Sequence, residues 1–151
     1  MKKVVYILLF MALLFSLTAC VDKTSRENSI PLVEEYEWVM RYTQKVGGEV
    51  VAYGTDKYTP YEDAKEIELK ASAENGVIKI FDLTNDAVYE GEYIKSDRTP
   101  ESQNYKFVFD TDDSGFGLTA MTKYYDGETY SETATLIINA GEYALVFEAE
   151  K

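Results

Sequence analysis

From residue 36 onward, apolar and polar side chains alternate with a period of two, and Gly, Asn, Asp or Pro breaks the alternation at short intervals. Successive side chains on a strand point to opposite faces, so this pattern predicts strands with one buried face and one wet face. Trp38, Met40 and Tyr42 alternate with Glu37, Val39 and Arg41 in a first strand whose Trp face is inward. Gly47-Gly48 ends it, and residues 49–53 form a second. Residues 54–64 have no period and are expected to loop across one end of the fold, with room for a short helical turn at 61–64. Ile67, Leu69 and Ala71 lead through Asn75-Gly76 to Ile78 and Ile80. Asn-Gly accepts the positive φ angles of a two-residue turn, which makes this the clearest hairpin in the chain.

The next strand carries Tyr89, Gly91 and Tyr93 alternating with Val88, Glu90, Glu92 and Ile94, and the pattern leaves open which set is inward. Tyr105, Phe107 and Phe109 line one face of another strand. Asp126-Gly127 joins strands at 116–125 and 129–138, with Phe116, Leu118, Ala120 and Thr122 on one side of the first. Tyr143, Leu145 and Phe147 close the chain on an apolar face. About eight to nine strands at steady spacing, without a convincing helix, predict an all-β fold. The expected form is an antiparallel up-and-down meander, closed or nearly closed into a barrel, with a β-sandwich as the alternative.

The N-terminal pattern is different. Lys2 and Lys3 precede an uncharged apolar run at 4–15, and Ser16, Thr18 and Ala19 follow, which is the layout of a secretory signal. The run is shorter than the roughly 20 apolar residues of a membrane span. Leu17-Thr18-Ala19-Cys20 resembles the lipobox of bacterial lipoproteins. That resemblance implies cleavage between Ala19 and Cys20 and transfer of a diacylglyceryl group to the Cys20 thiol. It places the protein on the extracytoplasmic face of the cell membrane, held by lipid. Two acyl chains hold firmly where one holds marginally. Residues 21–35 are polar and without period, the composition of a flexible tether. The expected division is a signal peptide at 1–19, a tether at 20–35 beginning with the lipidated cysteine, and a barrel domain at 36–151.

A tryptophan at the start of the first strand, a meander with strong hairpins and an aromatic last strand together resemble the calycin group, the lipocalin-like barrels. Tyr36 and Glu37 stand where that group carries a glycine before its tryptophan. The resemblance implies that Trp38 plugs the barrel floor and that the interior either holds a ligand or is filled.

Charge removes several functions. The 151 residues carry 15 basic and 27 acidic side chains. Without the 19 signal residues, which hold Lys2 and Lys3, 132 residues remain with 13 basic groups and a formal charge of −14. Such a surface repels phosphate backbones and anionic headgroups, so no nucleic-acid partner is expected. The chain has no histidine, and its one cysteine is Cys20. His- or Cys-based triads, thiol redox chemistry and ordinary zinc sites are thereby excluded. No cofactor and no enzymatic activity are expected. The adjacent pairs Glu34-Glu35 and Asp112-Asp113 read as solvated charge, because acid–base pairs need environments that drive their pKa values apart.

Three sets of candidate site residues remain. Asp110, Asp112, Ser114 and Gly115 match the first, third, fifth and sixth positions of a calcium loop. Its twelfth position is Met121 instead of a bidentate glutamate, so the favoured reading is a polar turn and no metal. Trp38, Tyr89, Tyr93, Tyr105, Phe107 and Phe109 are candidates for lining an apolar pocket, with simple core packing as the alternative. Tyr53, Tyr58 and Tyr61 are candidates for surface recognition, or else rings that pin their own loop. The expectation is a monomeric, membrane-anchored binding or interaction module for a small apolar ligand or a protein. The alternative is an envelope-assembly lipoprotein that presents a surface over a packed interior.

Overall fold

The computed structural model describes residues 30–56, 61–110, 114–125 and 127–150. Ten strands follow one another: β1 (Trp38–Lys45), β2 (Val50–Tyr53), β3 (Lys65–Glu66), β4 (Leu69–Glu74), β5 (Val77–Asp82), β6 (Ala87–Arg98), β7 (Ser102–Phe109), β8 (Ser114–Tyr125), β9 (Tyr130–Ala140) and β10 (Tyr143–Ala149). From β4 to β10 each strand pairs antiparallel with the next, and β10 pairs with β1. The opposite edge of β1 is shared. Its start pairs with β4 through Trp38↔Ala71 and Val39↔Lys70, and its end pairs with β2 through Tyr42↔Tyr53 and Thr43↔Ala52.

Eight strands, β1 and β4 to β10, therefore close an antiparallel meander into a barrel, with β2 and β3 as two further strands. Closure pairs the edges that an open sheet would leave to aggregate. The all-β barrel is the predicted fold, and the sandwich is not formed. The turns obey local chemistry: Asn75 and Gly76 take φ of 52° and 83°, which sets the tight β4–β5 hairpin.

Two local expectations change. The register between β1 and β10 steps at Arg41, from Met40↔Phe147 to Tyr42↔Val146. This bulge inserts one residue, so Thr43 takes the inward position that strict alternation assigns to Tyr42. Residues 61–64 form no helical turn; a single 3₁₀ turn occurs at Val33–Glu35, inside the stretch expected to be tether. Ile30 and Val33 are buried there. The Trp38 indole N–H donates to the Val33 carbonyl at 2.8 Å, and the Val33 N–H donates to the Tyr105 hydroxyl at 3.0 Å. The Thr119 hydroxyl donates to the Pro31 carbonyl. Residues 30–35 are thus a plug, and these bonds satisfy backbone groups that burial would otherwise orphan.

The open question of β6 is settled by space. Gly91 is buried, and a Cβ there would lie 2.7 Å from the Phe109 ring and 2.7 Å from the Val108 carbonyl oxygen. Tyr89, Gly91 and Tyr93 therefore face inward. On β8 the inner face is Gly115, Gly117 and Thr119, while Phe116, Leu118, Ala120 and Thr122 lie on the outer wall. The barrel and its plug lie wholly within residues 30–150. Among the described residues no helix is long and apolar enough to cross a membrane.

Candidate functional site

The inward side chains are unequal along the barrel axis. Around the plug they are bulky: Trp38, Met40, Tyr105, Phe107 and Phe147 are all essentially inaccessible. Toward the far end the inner wall includes Thr43, Ala52 and Ala140, which fill little space. Geometry adds to this difference. Eight strands leave an interior just wide enough for side chains. Where β1 leaves β4, however, β2 takes over its edge and widens the wall at the far end.

The result is an open cup of about 490 Å³, within the range of small-molecule sites. Ile67, Leu69, Ile80, Phe109, Ile138 and Leu145 make its apolar wall, and Tyr89 and Tyr143 contribute partly exposed rings. The polar side chains in the lining are Thr43, Asp82 and the two tyrosine hydroxyls.

Asp82 is 7% exposed. Its Oδ1 accepts from the backbone N–H groups of Thr84 at 3.1 Å and Asn85 at 2.9 Å, and its Oδ2 accepts from the Asn85 amide at 2.8 Å. The Asn85 side chain, followed by the two backbone donors, holds the carboxyl below the usual carboxylate range against the opposing effect of burial. Among the described residues no lysine or arginine pairs with it. Three turns among the described residues border this end, at 46–49, 83–86 and 141–142, and Asp110 follows the end of β7 there. This rim carries Glu49, Asp86, Asp110 and Glu142; Glu49 is paired with Lys45 at 4.0 Å, and no lysine or arginine pairs with the other three among the described residues.

Of the six aromatic candidates, Tyr89 and Phe109 line the cup. Trp38, Tyr105 and Phe107 are packed in the core beside the plug, and Tyr93 packs against that core. Rings of Tyr93, Tyr105, Phe107 and Phe109 form a continuous ladder with centroids 5.9–6.3 Å apart. Burial pushes the Tyr105 hydroxyl pKa up. Alternation already placed Ile67, Leu69, Ile80, Tyr143 and Leu145 on inward faces; the missing information was their depth along the axis. Thr43 was hidden by the bulge, and Asp82 by its place beside a polar turn.

The other candidates lie elsewhere. The rings of Tyr53 and Tyr61 meet at a tilt with centroids 5.8 Å apart, and the Tyr61 hydroxyl donates to Asp56 at 3.0 Å; Tyr58 lies outside the described residues. Asp110 is exposed with its N–H on the Glu90 carbonyl, and Ser114 pairs with Val108 as the first residue of β8. Asp112 and Asp113 lie outside the described residues, as do Ala19 and Cys20. Among the described residues no group of three or more acidic or thiol side chains could hold a metal. Glu34 and Glu35 do not act as a pair: Glu34 binds Lys95, and Glu35 accepts the Leu32 N–H at 2.9 Å.

The outer wall carries an ionic cluster. Arg41 meets Glu148 at 2.9 Å and Asp56 at 3.7 Å, and its guanidinium lies 3.7 Å from the centre of the Tyr124 ring. The Thr55 hydroxyl donates to Glu148 at 2.8 Å. These contacts tie the segment after β2 to β10 and make a latch outside the cup. Comparison with protein-family models, curated proteins and solved structures found no match to this chain.

Proposed function

We propose that this protein is a lipid-anchored extracytoplasmic binding protein that holds a small ligand with an apolar body in the cup of its barrel. The observation that supports this reading is the cup of about 490 Å³, apolar on most of its wall and open at one end. A protein that only presents a surface has no need of such an opening, because filling it would add stability. The chain enters the barrel at the plugged end, so an anchor at Cys20 would attach to the end opposite the mouth.

Nile red, an uncharged dye that brightens in apolar surroundings, tests the cup. The chain of residues 20–151 is expected to bind it, and Ala140→Trp, which places a large ring in the lining, is expected to abolish binding without lowering Tm. Absence of binding, or binding untouched by Ala140→Trp, would favour the surface-presenting reading. The anchor has its own test. Cys20→Ser in the full chain should move the protein out of the lipidated membrane fraction while the barrel still folds. Unchanged membrane association and continued acyl labelling in that variant would overturn the anchor.

A further inference from the structure

Asp82 is the one carboxylate in a wall that is otherwise mostly apolar. Burying an ionised group is costly unless an opposite charge accompanies it. The donors that Asp82 does have, two backbone N–H groups and one amide, are neutral, so they orient the carboxylate without cancelling its charge. The inner face around it adds a second feature. Tyr89 pairs with Ile80, and Ala87 pairs with Asp82, so Tyr89 is the diagonal neighbour of Asp82 on that face. An aromatic face attracts a cation, most strongly where water is partly excluded. At the rim, Asp86, Asp110 and Glu142 have no lysine or arginine partner among the described residues and extend the same negative field outward, while Glu49 is paired with Lys45.

We propose that the cup selects cationic amphiphiles, with the apolar body against Leu69, Ile80 and Phe109 and an ammonium group beside Asp82 and Tyr89. This rests on the cup reading and specifies its ligand class. The same arrangement disfavours fatty acids and other anionic amphiphiles, whose carboxylate would meet the like charge of Asp82.

Decylamine, decanol and decanoate share one chain length and differ in head charge, so their displacement of Nile red from the 20–151 chain at low salt tests the selection. Decylamine is expected to displace the dye at about tenfold lower concentration than decanol, since a hydrogen bond to a charged group contributes about that ratio or more. Decanoate should be the weakest, and added salt should narrow the gap. Asp82→Asn keeps an acceptor for the turn and should bring decylamine close to decanol. Glu74→Gln removes the same charge from the β4–β5 hairpin at the other end and should leave the preference intact.

Ala87→Lys gives an independent check that spares the Asp82 turn. It supplies a built-in ammonium beside Asp82 and should also erase the decylamine advantage. Equal displacement by all three probes, a preference for decanoate, or an advantage that survives both Asp82→Asn and Ala87→Lys would overturn the charge selection while leaving the cup in place. Failure of Nile red to bind at all would remove the cup itself.

Discussion

Trp38→Ala is expected to lower the unfolding free energy by about 3–5 kcal/mol, the usual cost of deleting a buried large aromatic. Trp38 is fully buried, and its ring meets Tyr36 edge-on with centroids 5.4 Å apart. The substitution removes that packing and also orphans the Val33 carbonyl that the indole holds at 2.8 Å. The void cannot be filled by simple collapse, because its walls are paired strands on several sides. A domain of this size has about 5–15 kcal/mol in total, so a large part of its stability is at stake.

Trp38→Phe separates the two contributions. It keeps a ring and loses the indole donor, and about 1–2 kcal/mol is expected from the broken hydrogen bond and the smaller volume. Urea denaturation followed by circular dichroism measures both variants without relying on tryptophan fluorescence. A Trp38→Ala change below 1 kcal/mol, on the order of a surface substitution, would mean that the plug contributes little. Removing residues 30–35 should then be equally harmless.

The second large effect is expected at Arg41. Arg41→Ala should cost about 2–4 kcal/mol, since removing one member of a largely buried ion pair leaves the remaining charge without compensation. Arg41 and Asp56 have side chains only 12% and 11% exposed, and Glu148 18%. Without the guanidinium, two carboxylates repel each other in a partly dry site, and the ring of Tyr124 loses its cation. The arginine already bears a cost of its own, because its Nε is buried without an acceptor.

Arg41→Met combined with Glu148→Gln should recover part of the loss, because buried ion pairs are often replaceable by neutral groups of similar volume. The latch also bears on the cup. Arg41 ties the segment that follows β2 to β10, while Val51 and Ala52 of β2 line the cup. Arg41→Ala should therefore weaken Nile red binding even below the denaturation midpoint. A destabilised variant with unchanged dye affinity would show that the latch supports the wall only thermodynamically.

The legible parts of this fold are those written in neighbouring residues. Asn75-Gly76 reads as a hairpin because its φ preferences are local, and Ile78 and Ile80 read as one face because side-chain direction alternates with every residue. The same rule failed at Tyr42. A bulge depends on how β1 meets β10, which residues 38–45 do not reveal by themselves. Residues 30–35 were hidden for a related reason: Pro31, Val33 and Thr119 are far apart in the chain, and only closure brings the Thr119 hydroxyl to the Pro31 carbonyl.

Alternation by itself pointed to an antiparallel all-β meander from residue 36 onward, with a barrel expected and a sandwich still open, and composition determined that this part of the chain has no histidine and no cysteine. The tertiary structure alone decided that one end is packed with Trp38, Tyr105 and Phe107 while the other holds an open cup. It also decided that Asp82 belongs to the wall of that cup. A period of two specifies the face of each side chain but not its depth along the barrel. Depth is set by register between strands, and register is fixed only when all eight strands have closed.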